Sequence, residues 1–149
     1  MRWKSRGRRT NSLIMAKENL IREEAFRFAV KITRLAQKLR DTREFDMASQ
    51  IWRSGTGVGA NVEEAQAAQS RADFISKMSI ASKEAREVSY WLRLAASSGV
   101  REEAEIRPLQ EDCEKLVRIL TSIVKTSAIK NQKSKNQNLS EKLRNDHAR

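Results

Sequence analysis

The sequence predicts an all-α protein, an antiparallel up-down four-helix bundle with disordered basic tails at both ends. The 149 residues include only one proline and five glycines, which is few turn-forming residues for a sheet protein. Hydrophobic residues make up 39% and charged residues 33% of the chain, a mixture that suits amphipathic helices. Apolar residues recur at alternating steps of three and four in four segments, as in helices that pack at shallow angles.

The first two helices are predicted between Glu18 and Arg40 and over residues 44–69, with the stretch RDTREFD between them. In the first segment the apolar seam consists of Ile21, Ala25, Phe28, Ile32, Leu35 and Leu39. In the second segment the same steps connect Ile51, Gly55, Val58, Val62 and Ala65.

The third helix is predicted to open at Ser70, which forms a capping box with Asp73, and to end near Gly99 in a left-handed C-cap. Its seam consists of Phe74, Met78, Ala81, Ala85, Val88, Leu92 and Ala95. The fourth helix follows with acidic residues in its first turn, and Pro108 predicts either a kink or a restart of the helix. Its seam consists of Leu109, Cys113, Leu116, Leu120 and Ile123.

Three glycines, Gly55, Gly57 and Gly59, are concentrated in the second segment and raise the question of a nucleotide-binding loop. A phosphate-binding loop needs the pattern G-x-x-x-x-G-K-[ST] after a strand, and this stretch has neither the lysine nor a preceding strand. Each glycine costs a helix about 1 kcal/mol relative to alanine, so packing must compensate. We therefore interpret the cluster as a smooth helix surface that a neighbouring helix approaches closely.

The net charge of +11 lies mostly at the two ends of the chain. Residues 1–16 hold five basic and no acidic side chains, and residues 130–149 hold six basic and two acidic ones. Both ends are polar, and they cannot bury enough apolar surface to offset the entropy of ordering them. The predicted organisation is a disordered extension over 1–16, a bundle over 17–129 and a disordered tail over 130–149.

Residues that carry catalysis or bind metal are scarce. The one histidine, His147, lies in the polar tail, and the one cysteine, Cys113, occupies a core position where a buried inert thiol is expected. The paired carboxylates of the second and third helices are interpreted as solvated faces and ion pairs. We expect no catalytic residue, no metal and no cofactor, so the chain is not expected to be an enzyme. With no apolar stretch long enough to span a bilayer, no signal peptide and a lone cysteine, we expect a cytoplasmic protein without a membrane partner.

Several polar residues flank the seam of the second helix. Helical geometry points Arg53, Glu64 and Arg71 in nearly one direction, with Asn61 beside them, and Glu84 on the third helix is a candidate partner. Buried polar groups of this kind need partners. We expect a structural polar network that fixes the register of the helices, with an anion site as the alternative.

Apolar side chains also occur outside the four seams, and they cannot all point into the core of a monomer. A second apolar stripe on a helix is typical of a partner surface, and most soluble oligomers are symmetric self-assemblies. We expect a homo-oligomer whose interface includes Phe26, Trp52, Ile80, Trp91 and Leu94.

From about Glu18 to Thr126, the chain resembles the four-helix-bundle family of proteins encoded in intervening sequences of bacterial large-subunit ribosomal RNA genes. The accessory variability proteins of diversity-generating retroelements are similar to that family. The most specific motif residues are Arg53, Ser54, Asn61, Glu64, Arg71 and Phe74, followed by the stretch YWLRL. The chain departs from the pattern where Ala65 follows Glu64, because many relatives have glycine there.

The resemblance implies a homopentamer and a non-enzymatic association with nucleic acid, and for retroelement members a reverse transcriptase partner. The charge pattern agrees with contact to RNA phosphates without sequence readout. We predict a binding surface on the first and third helices formed by Arg22, Lys31, Arg34, Lys38, Lys77, Lys83, Arg86 and Arg93. The alternative is a protein-binding adaptor, such as an accessory protein of a reverse transcriptase.

Overall fold

A computed structural model describes residues 3–147 and contains four helices in this part of the chain. They are α1 (Trp3–Asp41), α2 (Phe45–Gln66), α3 (Arg71–Ser97) and α4 (Glu103–His147). Each helix packs against the next, and α1 also packs against α4, so the four close into an antiparallel up-down bundle. The predicted all-α fold class is confirmed.

The core of the bundle consists of the apolar seams that the sequence predicts. Phe28 and Ile32 of α1, Met78 and Leu92 of α3 and Leu120 of α4 are among its largest fully buried side chains. Burying a side chain of this size stabilises a fold by about 1.5–3 kcal/mol. The spacing of three and four therefore identifies most of the interior on all four helices. Phe74 of the predicted seam is only half-buried, and the core also includes Ala36, Ala48 and Ile106, which the spacing did not predict.

The glycine cluster lies inside α2, and its closest contact is with α1. A Cβ atom added to Gly55 would lie 2.6 Å from Cγ2 of Ile32, whereas one added to Gly59 would lie 3.6 Å from the carbonyl oxygen of Ala25. The first distance is a clash and the second an ordinary contact. Close helix packing is thus confirmed, and Gly55 is the position that requires it.

The helix ends follow their predicted caps. The backbone N–H of Asp73 donates to Ser70 Oγ at 3.0 Å, and Gly99 adopts a φ of 75° just beyond the end of α3. The prediction for α2, residues 44–69, runs three residues too far, because α2 ends at Gln66. Residues 67–70 form the turn that reverses the chain, and Ser70 cannot continue α2 while it caps α3.

Within the described residues, helix extends into both segments that were expected to be disordered. α1 begins at Trp3, and α4 continues without a restart at Pro108 to His147. Extending an existing helix adds one hydrogen bond per residue and avoids the cost of nucleation, so these polar segments are helical without a core of their own. Residues 132–146 are exposed throughout, and residues 1, 2, 148 and 149 lie outside the described part.

A helix that crosses a membrane must be both long and largely apolar, and the helices of the described chain do not meet these requirements. None of them, from Trp3 to His147, combines the length and the apolar character of a membrane span. The longest of them, α4, contains the polar stretch over residues 130–147.

Candidate nucleic-acid interface

Neighbouring helices meet along four lines on the surface of the bundle. From here on, 'seam' with two helix names means such a line, as distinct from the buried apolar seam of one helix. The α1–α4 seam is closed by ion pairs. Lys31 Nζ lies 2.6 Å from Asp112 Oδ2, and Lys38 Nζ lies 2.8 Å from Glu105 Oε1. The hydrogen bond from Lys38 is the main reason that the pKa of Glu105 is lowered, and Arg101 adds to it. Both lysines, predicted as nucleic-acid contacts, are therefore partly neutralised by α4.

Ion pairs also cross the α1–α2 and α2–α3 seams. Arg22 Nη2 lies 3.1 Å from Glu63 Oε2, and Lys77 Nζ lies 2.5 Å from Glu64 Oε2. The hydrogen bond and charge of Glu64 raise the pKa of Lys77. These two predicted binding residues, like the lysines of the α1–α4 seam, are paired with a carboxylate of the neighbouring helix.

The α3–α4 seam is different, because a groove runs along its outer side. Two adjoining depressions of about 270 and 480 Å³ share Arg86 as a lining residue. Side chains of α3 line one wall: Ser79, Ser82, Arg86, Ser89 and Arg93. Side chains of α4 line the other wall: Glu114, Val117, Arg118, Thr121, Val124 and Lys125. We call this feature the basic groove.

The cations of the basic groove have almost no protein partners. Within the described chain, no ion pair crosses this seam, and Arg86, Arg93 and Lys125 make no ion pair or hydrogen bond. Arg118 approaches only Glu114, one turn earlier on α4, at 4.0 Å, and both side chains are exposed. An exposed pair of that kind contributes little. Four cationic side chains thus face solvent along one groove, with Glu114 as the carboxylate among its lining residues.

Hydroxyl groups alternate with these cations. Helical serine and threonine commonly donate back to a carbonyl one turn earlier, as Ser79 does to Ile75 at 2.7 Å. Ser82, Ser89 and Thr121 make no such bond within the described residues. Their hydroxyls are therefore available to a ligand in the groove.

The sequence identified half of the four cations of the basic groove. Arg86 and Arg93 were among the predicted binding residues, and Arg34 and Lys83 are exposed but do not line the groove. Arg118 and Lys125 were missed. A repeat of seven residues between basic positions on both helices is the signal that would have found all four.

The predicted polar network on α2 and α3 is not assembled around Glu84. The Arg53 guanidinium pairs with Glu87 and also donates to Gln50 Oε1 at 3.1 Å. Burial raises the pKa of Glu84, the charge of Glu87 adds to this, and the charge of Arg53 opposes it. Glu84 lies against Gly57, and its Oε2 has no hydrogen-bond partner. The register places Glu87, one turn beyond Glu84, opposite Arg53, so this arginine is not free to bind an anion.

The other predicted members of that network have separate partners. Asn61 Nδ2 donates to the backbone carbonyl four residues earlier at 2.8 Å, and Glu64 pairs with Lys77. The Arg71 guanidinium carbon lies 5.9 Å from the centre of the Phe74 ring, within the range of a cation–π contact. The five residues thus act locally and do not form one connected network.

Cys113 is buried in the core, as predicted for an inert thiol. Its Sγ donates to the carbonyl oxygen of Ala85 at 2.9 Å, and burial raises the pKa of the thiol to about 12. The thiolate is the reactive form of cysteine, so this side chain stays protonated near neutral pH. The described residues also hold no cluster of three or more side chains suited to bind a metal ion.

The predicted interface residues reach the surface to different degrees. Phe26 is 70% exposed, Trp52 44% and Ile80 37%, whereas Trp91 and Leu94 are half-buried. The indole Nε1 of Trp91 is buried without a hydrogen-bond partner. Apolar area therefore remains uncovered on α1, α2 and α3.

Fold and groove together define a helical bundle with an unneutralised basic surface along the α3–α4 seam. The chain belongs to the 23S rRNA-intervening sequence protein family, whose sequence profile matches residues 17–122. The family predicted from the motif residues is confirmed, whereas the similarity to accessory proteins of retroelements stays a prediction.

A solved structure supports the same assignment. The chain is similar to a protein of unknown function from the S23 ribosomal protein family of Bacteroides thetaiotaomicron, known from its crystal structure. The two share 41% sequence identity, and the match covers 73% of this chain and 98% of the other with a TM-score of 0.71. A comparison with curated proteins finds no match.

Proposed function

We propose that this protein is a non-enzymatic, self-associating bundle that binds RNA through phosphate contacts in the basic groove. The observation that supports this best is the α3–α4 seam, where Arg86, Arg93 and Lys125 have no protein partner. Cations in such a position can neutralise phosphates of a nucleic acid, which releases the counterions condensed on that nucleic acid and favours binding. The matched family is named for the intervening sequences of 23S rRNA that encode its members, and this association is why we propose RNA as the nucleic acid.

The composition of the groove favours contacts to the backbone over contacts to bases. Its described lining residues are arginine, lysine, serine, threonine, valine and one glutamate, with no aromatic ring on which a base could stack. Contacts to phosphate position a protein on nucleic acid but carry no sequence information. The proposed binding is therefore independent of base sequence and sensitive to salt.

Self-association is the second part of the proposal. The exposed side chains of Phe26, Trp52 and Ile80 supply apolar area for contacts between copies. In a closed ring, such as the homopentamer that the resemblance implies, each copy would contribute one basic groove. Several grooves on one RNA bind more tightly than one, because later contacts form within a single complex.

The test compares two double variants with the same change in charge. Arg86→Gln/Arg93→Gln removes two cations from the basic groove, and Lys31→Gln/Lys38→Gln removes two from the α1–α4 seam. We expect the groove variant to bind labelled RNA at least about ten-fold more weakly at physiological salt, with a salt slope reduced by roughly two. The seam variant should keep most of its affinity, because its lysines already have carboxylate partners.

Three outcomes would contradict the proposal. RNA binding that is absent at low salt refutes the nucleic-acid function, and a stoichiometric protein partner in that case favours the adaptor hypothesis. Equal loss of affinity in both variants refutes the assignment of the groove. Light scattering that shows a monomer at working concentrations refutes self-association.

A further inference from the structure

We infer that the basic groove binds the backbone of double-stranded RNA, with its serine hydroxyls bonded to ribose 2′-hydroxyl groups. This inference rests on the proposed function and specifies the ligand of the same site. It follows from the order of side chains along the two walls of the groove.

Both walls alternate hydroxyl groups with cations. On α3 the order is Ser82, Arg86, Ser89 and Arg93, in steps of four, three and four that keep all of these residues on one helix face. The opposite wall on α4 has a cation, a hydroxyl and a cation in the order Arg118, Thr121 and Lys125. An RNA backbone alternates phosphate and ribose 2′-hydroxyl in the same manner, whereas DNA lacks the hydroxyl.

The hydroxyls on α3 are free to make this contact. Ser79 and Thr126, on the same two helices, each donate to the carbonyl four residues earlier, at 2.7 and 2.9 Å. Ser82 and Ser89 are half-buried, and their hydroxyl groups make no hydrogen bond within the described residues. A 2′-hydroxyl both donates and accepts, so it can satisfy either serine.

A duplex suits the groove better than a single strand. Proteins recognise single-stranded RNA largely by stacking its bases on aromatic rings, and no aromatic ring is among the described lining residues. An A-form duplex presents phosphates and 2′-hydroxyls along a wide, shallow minor groove. The α3 wall from Ser82 to Arg93 spans about 16 Å, which is long enough to face several phosphates.

The test measures the affinity of the full chain for three probes of one sequence by fluorescence anisotropy. The probes are an RNA duplex of about two helical turns, the corresponding DNA duplex and the single RNA strand. We expect the RNA duplex to bind about three- to ten-fold more tightly than the DNA duplex, as a few neutral hydrogen bonds allow. The single strand should bind more weakly than the RNA duplex.

The variant Ser82→Ala/Ser89→Ala isolates the hydroxyls. Alanine is smaller and favours helix, so the fold is retained. We expect the affinity for the RNA duplex to fall to that for the DNA duplex, while the affinity for DNA stays unchanged. Ser76→Ala is the matched control, since Ser76 is exposed on α3 but does not line the groove.

The outcomes separate this inference from the proposed function. Equal affinity for RNA and DNA duplexes, preference for the single strand or an unchanged serine variant overturns the inference but leaves phosphate binding intact. Absence of binding to all three probes at low salt overturns the proposed function as well.

Discussion

The α1–α4 seam and the α3–α4 seam run along opposite sides of α4 and differ in whether their basic residues are paired with carboxylates. Lys31 and Lys38 on α1 are seven residues apart, and so are Arg86 and Arg93 on α3. Across the first seam, α4 offers a carboxylate to each lysine. Across the second it offers two cations, Arg118 and Lys125, and one carboxylate, Glu114, which lies nearest to Arg118 and pairs with neither arginine of α3. The facing helix therefore decides whether a cation stabilises the bundle or remains available to a ligand.

This difference also explains why basic residues that look alike in sequence differ in role. A position beside the apolar seam of a helix favours lysine or arginine whatever residue faces it on the next helix, because the aliphatic part of the side chain covers the edge of the core. An ion pair across a seam adds at most about 1 kcal/mol when it is exposed. A row of unpaired cations contributes nothing of this kind to folding, which is why we assign the proposed RNA binding to the basic groove.

The largest expected effect is on the stability of the bundle, at the close contact between α1 and α2. Gly55→Val would force a branched side chain against Ile32, where even a Cβ atom lies 2.6 Å away, and should lower the free energy of unfolding by about 1–3 kcal/mol. Gly59→Ala has room for its methyl group and should raise stability by up to about 1 kcal/mol. Urea unfolding measures both. A Gly55→Val protein as stable as the wild type would contradict the close approach of α1 and α2.

The next largest effect is expected from a carboxylate introduced into the α3–α4 seam, which would then resemble the α1–α4 seam. Thr121→Glu places a carboxylate in the basic groove beside Arg86 and Lys125, and should weaken RNA binding by about ten-fold. Ser122→Glu adds the same charge at the adjacent residue, but toward Lys17, whose Nζ lies 2.8 Å from Ser122 Oγ in the α1–α4 seam. Its effect on affinity should be much smaller, because salt screens exposed charges beyond about 8 Å. Equal effects of the two variants would show that total charge, and not the groove, controls binding.

The smallest effect is on the pH dependence of stability. The pKa of Glu105 is lowered from its ordinary value of 4.5, chiefly by Lys38 across the α1–α4 seam. A lowered folded-state pKa gives stability that is present above the unfolded pKa and is lost as pH falls through the folded pKa. Stability should thus decline below about pH 4.5 as the carboxylate is protonated. Glu105→Gln should remove under about 1 kcal/mol at pH 7 and make the decline shallower, as thermal unfolding at a series of pH values would show.

The fold was largely predictable from sequence, because core positions in a bundle are fixed by local spacing. Ile21, Val58, Met78 and Leu116 are all buried where steps of three and four placed them. The helix over residues 130–146 was not predicted, because composition shows that these residues bury no core but not that α4 extends through them. Extension depends on an adjoining stable helix, which a reading of the isolated segment does not include.

The candidate site was predictable only in part. Arg86 and Arg93 were found because they share a face of one helix, whereas Arg118 and Lys125 join them from the antiparallel helix. Glu84, the candidate partner for one of the arginines of α2 and α3, is left without that ion pair for a related reason. One turn of difference in register brings Glu87 to Arg53 and leaves an oxygen of Glu84 without a partner.

The sequence by itself determined the class of fold, the buried face of each helix and the family, because each depends on residues within about two turns or on motif residues. Only the tertiary structure decided which basic residues are neutralised, where a glycine is indispensable and where a groove opens. Ion pairing and close packing depend on the residue that the neighbouring helix presents at the same height. That residue depends on the relative register of two helices that are far apart in sequence. The spacing of residues within one helix does not determine this register.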